Sequence, residues 1–155
     1  MKDEKKPEKL SEEERALKSA LNILAYAECT EKTLRQKLSD KGYEEESVEF
    51  AVDYMIKHRY LDEKRYIFRI VQYLGNVKLY GKRRIVMQVK QKGFSADTVS
   101  LYLEEAIASL DERENCRKAL LKVHKNDYKK TVDALLRRGF LYSDIKAAMS
   151  LDSDD

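Results

Sequence analysis

One proline and five glycines in 155 residues leave little punctuation for a turn-rich β protein. Cysteine is almost as scarce. Cys29 and Cys116 stand far apart without a CxxC pattern, so no disulfide framework is expected, and reduced thiols in a cytoplasmic protein are the simplest reading. Long apolar runs are missing too: no stretch of about 18 apolar residues occurs, and no membrane span is expected. The opening "MKDEKKPEKLSEEER" is charged throughout, which does not fit a secretory signal. His58 and His124 are the only histidines. Each lies beside a Lys late in a predicted helix, where a cationic ring suits the dipole, and two His with two Cys at no metal-ligand spacing do not make a zinc site. No Gly-rich phosphate loop is present. Ser11, Thr30 and Ser95 read as helix caps and not as nucleophiles, and Glu44 to Glu46 as a solvated first helical turn. These absences argue against an enzyme and against a small-molecule substrate.

Acid is missing from one long stretch. Residues 64–96 hold no Asp or Glu but nine Lys and Arg. Residues 115–146 carry nine positive charges against three negative, while residues 28–63 carry six against ten. A net charge of +3 therefore hides an acidic early third followed by two basic zones.

What is abundant is Leu, Lys, Glu, Ala and Arg, in helical spacing, which fits an all-α chain. One joint occurs three times, as "LSDKGYEEESV", "VKQKGFSADTV" and "LLRRGFLYSDI". Its signature pairs are Gly42–Tyr43, Gly93–Phe94 and Gly139–Phe140. Each glycine suits a left-handed C′ position, and each aromatic is placed to fold back on the helix just ended. Twelve residues before the glycines stand Thr30, Gly81 and Asp127, all acceptable N-caps. Leu34, Ile85 and Thr131, then Leu38, Val89 and Leu135, mark one apolar face between cap and glycine. A longer periodic segment precedes each pair. The spacing predicts three tandem three-helix repeats, at 11–59, 61–110 and 112–151, in an elongated, curved array. Residues 1–10 are expected to be disordered, 152–155 to form an acidic tail, and Gly75 to Tyr80 to be the one real mid-chain loop.

The candidate contact residues lie around that loop. Lys82, Arg83 and Arg84 occupy the first turn of a predicted helix, where the dipole disfavours cations, and backbone N–H groups there would hold a phosphate or carboxylate. Lys78, Tyr80, Lys90 and, in the second basic zone, Arg137 complete the set. Tyr26, Tyr43, Tyr54, Tyr66 and Tyr102 are expected to pack. Lys41, Lys92 and Arg138 each precede a stop glycine, where a cation suits the last turn.

"YLDEKRYIFRIVQYL" at 60–74 followed by "GKRRIVMQVKQKG" at 81–93 resembles the RecX family of recombination regulators, and "TLRQKLSDKG" at 33–42 resembles an earlier element of the same family. Leu61, Asp62, Glu63, Arg65, Tyr66, Gly81, Arg84, Ile85, Lys92 and Gly93 carry the match. The chain departs from the pattern at Ile67, where Ala is usual, at Gln88–Val89, and at Leu74–Gly75, where arginines are common. The resemblance implies three three-helix repeats, no cofactor, and binding in the groove of the RecA filament on single-stranded DNA, with weak direct DNA binding. It further implies inhibition of strand exchange, ATP hydrolysis and co-protease activity, within homologous recombination, DNA repair and the SOS response. On the residues alone, a stand-alone helix–turn–helix nucleic-acid module and a purely structural adaptor stay open beside it.

Overall fold

A computed structural model describes residues 10–124 and 126–153, with side chains as far as residue 150. Residues 1–9 and 154–155, where the expected disordered N-terminus and the end of the acidic tail fall, lie outside the described residues. Among the described residues there are nine α-helices and no strand: α1 (Glu12–Tyr26), α2 (Glu31–Asp40), α3 (Glu45–Lys57), α4 (Glu63–Gln72), α5 (Lys82–Gln91), α6 (Ala96–Ala108), α7 (Glu112–Val123), α8 (Tyr128–Arg137) and α9 (Tyr142–Ser153). They fall into the three expected triplets, with α9 running two residues into the stretch read as an acidic tail.

Local chemistry sets most helix ends. Ser11, Thr30, Ser95, Asp111 and Asp127 each accept the N–H three residues on, at 3.1–3.2 Å, a bond worth about 1 kcal/mol per helix. Gly42, Gly93 and Gly139 take φ of +93°, +97° and +95°. At the first, Gly42 N–H donates to Ser39 O (2.9 Å) and Tyr43 N–H to Leu38 O (3.4 Å). Gly139 and Phe140 repeat the pattern on Leu136 and Leu135. Both are Schellman ends, in which the aromatic folds back and the glycine turns left-handed without strain.

The chain divides between Glu63 and Lys64 into two compact units. The first holds α1–α3 around Ala16, Ala20, Leu34, Leu38, Val52 and Met55. Tyr43 closes it, its hydroxyl 2.8 Å from Ser19 Oγ. Tyr26 does not pack as expected: it is 92% exposed at the end of α1, off the stripe through Ala16, Ala20 and Ile23. Tyr54 packs on His58, Tyr66 on Phe94, and Tyr102 lies under Lys64.

The second unit holds two cores. Ile67, Ile70, Val71, Ile85, Val89 and Phe94 form one, and Cys116, Leu120, Leu135, Phe140 and Ile145 the other. The first half of the expected loop at Gly75–Tyr80 is something else. Helix α4 runs on through a π-helical turn, Tyr73–Val77, and only 78–81 is irregular. Gly75 is buried there with Leu110 against it, so the turn is packed and not a free loop. Leu79 follows with φ +56°, a left-handed conformation that costs a non-glycine residue roughly 1–2 kcal/mol. Its side chain is 4% exposed in the third-repeat core, and that burial contributes about 1.5–3 kcal/mol, enough to hold the strained backbone.

Candidate anion-binding interface

The connector between α4 and α5 is built from both repeats of the second unit. Arg138, at the end of α8, donates from Nη1 to Lys78 O (2.9 Å) and Leu79 O (3.3 Å). Asn115 of α7, 4% exposed, donates to Asn76 Oδ1 at 3.0 Å. Asn76 donates to Gln72 (2.6 Å), Gln72 to Ser109 Oγ (2.8 Å), and Ser109 to Ala106 O (2.6 Å). A polar chain thus links the π-turn to α6 and α7.

The first turn of α5 meets the last turn of α8. Gly81 N–H donates to Arg138 O (2.8 Å) and Arg83 N–H to Gly139 O (3.1 Å). A Cβ on Gly81 would meet the backbone of Gly139 and Phe140, and one on Gly139 would lie 2.5 Å from Arg84 N. The expected backbone pocket for a phosphate at this helix start is therefore filled by the end of another helix. The same contact explains the cations. The negative end of the α8 dipole faces the first turn of α5, so positive charge there is compensated.

The three adjacent cations have separate surroundings. Lys82 lines a cavity of about 660 Å³ with Glu104, Asp111, Glu112 and Asp144, and Arg113 pairs with Asp144 at 3.7 Å. Burial pushes the Glu112 carboxyl up, Asp144 adds to this, and Lys82 opposes it. Arg84 stacks its guanidinium 3.9 Å from the centre of the Tyr80 ring, so those two residues occupy one another, and Tyr80 is half-buried against the second-repeat core. Arg83 is exposed, as are Lys78, Lys90 and Arg137. Lys78 reaches over the exposed Tyr73 ring at 5.9 Å. Of the signature residues, Phe94 and Phe140 are buried and Tyr43 is half-buried.

Asn76, Asn115 and Arg138 are the residues that sequence reasoning missed in this role. Arg138 was legible as a last-turn cation, but its partners are carbonyls 59 and 60 positions away. One overlooked signal bears on Lys82. Leu10–Ser11–Glu12, Leu61–Asp62–Glu63 and Leu110–Asp111–Glu112 open the three triplets, and Glu63 and Glu112 each keep a buried carboxylate oxygen without a hydrogen-bond partner. Glu63 lies by Glu31, the first residue of α2, and Glu112 by Lys82, the first residue of α5. Among the described residues no helix is long and apolar enough to cross a membrane, and no group of three or more His, Cys, Asp or Glu is placed to hold a metal ion.

The family model for the first three-helix domain of RecX matches residues 16–55. A regulatory protein RecX from Vibrio vulnificus is 31% identical over 141 residues, covering 85% of this chain and 89% of the relative. One from Clostridium botulinum (strain Eklund 17B) is 33% identical over 130 residues, covering 76% of this chain but 58% of its own length. The crystal structure of RecX from Lactobacillus salivarius superposes with a TM-score of 0.70 at 21% identity, over 90% of this chain and 95% of that one, a likeness of fold.

Proposed function

The chain belongs to the RecX family of regulatory proteins, and on that premise we propose that it binds in the groove of the RecA filament on single-stranded DNA and inhibits RecA through filament growth or stability. The observation that carries this reading is the exposure of Lys78, Arg83, Lys90 and Arg137 in the net-positive second unit, three of them inside 33 residues without an acid. Exposed cations on helices α5 and α8 and on the connector before α5 attract a polyanion and orient it without needing a chemical site. Lys82 and Arg84 serve the reading indirectly, since one faces carboxylates and the other Tyr80.

The test is RecA ATP hydrolysis on single-stranded DNA with sub-stoichiometric protein. Wild type is expected to suppress it, and a Lys78→Glu, Arg83→Glu double variant to lose most of that effect while melting normally. A stable double variant that inhibits as well as wild type would remove these residues from the interface. Loss of naked-DNA binding, with no RecA inhibition by wild type, would favour the stand-alone nucleic-acid module.

A further inference from the structure

The connector that presents Lys78 and Arg83 is held only in part by its own repeat, where Tyr80 packs on the second-repeat core under Arg84. Asn76, Val77 and Lys78 are exposed, Leu79 sits in a backbone conformation that L residues avoid, and Gly81 offers α5 no side-chain cap. Its own repeat supplies the bonds from Lys78 N–H to Tyr73 O (3.0 Å) and from Tyr80 N–H to Leu74 O (2.9 Å), besides Gln72 accepting from Asn76. The third repeat supplies the Arg138 bonds to two connector carbonyls, the Asn115 bond to Asn76, the core around Leu79, and the acceptors for Gly81 and Arg83 N–H.

We infer that Arg138 and Asn115 of the third repeat are positioning residues for the exposed cations of the second, holding residues 76–81 in the one shape that presents Lys78 and Arg83 together. The inference rests on the proposed filament contact. Arg138 is half-buried and its guanidinium donates to backbone carbonyls, so its role is to shape the connector. A fixed connector presents two cations at one spacing, whereas a loose one must be ordered on binding, which lowers affinity with no change in charge. Affinity at the basic surface of the second repeat therefore follows how firmly the third repeat is docked.

Two variants test this without altering net charge. Asn76→Ala removes the Asn115 bond, together with the bond to Gln72, at an exposed position, and Arg138→Lys keeps the cation but replaces Nη1 with a shorter, more strongly hydrated ammonium. Each is measured alone and with Arg83→Glu, for binding to RecA filaments on single-stranded DNA and for amide hydrogen exchange. Both single variants are expected to exchange faster at Lys78 and Tyr80, with α8 amides unchanged, and to bind about three- to tenfold more weakly. In either background Arg83→Glu is expected to cost less than half of its wild-type factor, because a loose connector presents that cation less often. Fully additive losses would overturn the inference, as would faster exchange with unchanged binding, or unchanged exchange. If Arg83→Glu alone leaves binding intact, the filament contact itself fails, and the positioning role falls with it.

Discussion

At the residue scale, the two left-handed glycines that end α2 and α8 separate strain from contact. A methyl group added at Gly42 (φ +93°) would meet nothing within 4 Å, whereas one added at Gly139 (φ +95°) would lie 2.5 Å from Arg84 N. Gly42→Ala is expected to cost roughly 1 kcal/mol, the left-handed penalty alone. Gly139→Ala adds a backbone clash and is expected to cost at least twice that, read as the shift in urea midpoint. Equal costs would show that α5 and α8 do not meet as described. The carboxyl of Glu63 is pushed up, first by burial and then by Glu31, from an ordinary value of 4.5. Because the folded value is the higher one, ionised Glu63 opposes folding at neutral pH, and the opposition fades as pH falls through the raised value toward 4.5. Glu63→Gln should accordingly raise the melting temperature at pH 7, with the gain vanishing below pH 4.5. Cys116 is fully buried, and burial, with Asp144, pushes its thiol up to about 12. Neither it nor the buried Cys29, also raised by burial, is expected to react with iodoacetamide at pH 7.5 until the chain is unfolded in urea.

At the element scale, what was legible in the sequence is what neighbours in sequence decide. Thr30, Ser95 and Asp127 bond within three residues, and the glycines end their helices through bonds spanning five or fewer, so caps, stops and stripes could be placed from spacing alone. Thr30→Ala should cost about 1 kcal/mol and Thr30→Ser much less, measured by thermal melts of the first unit's transition. The π-turn at Tyr73–Val77 was not legible, because an i to i−5 ladder has no composition of its own, and Gly75 read as the start of a loop when it serves to admit Leu110. The joint of α8 onto α5 was hidden for another reason. It is made by backbone groups nearly sixty residues apart, so no side-chain pattern reports it. Hence the first turn of α5 looked like an open anion pocket with an unexplained row of cations, when two of its N–H groups, those of Gly81 and Arg83, already had acceptors at the end of α8.

At the scale of the whole molecule, charge is divided by region while the total stays small. The acidic stretch at 28–63 falls in the first unit, and both basic zones fall in the second. Binding to single-stranded DNA or its filament should weaken as salt rises, with each exposed cation that contacts phosphate contributing roughly 0.7 to the slope of log affinity against log salt. Changing Arg83 and Lys90 to Gln should lower that slope by about 1.4 if both touch phosphate. An unchanged slope would place both outside the contact. The π-turn bears on this scale as well. Three copies of one helix pattern, each with a four-residue link from first helix to second, would offer a periodic polymer three interchangeable landings. Links of that length occur at 27–30 and 124–127, but the middle copy inserts an extra turn and a left-handed leucine. That insertion gives an otherwise repetitive chain one joint unlike the other two, so a surface formed on it has no equivalent in the first or third copy.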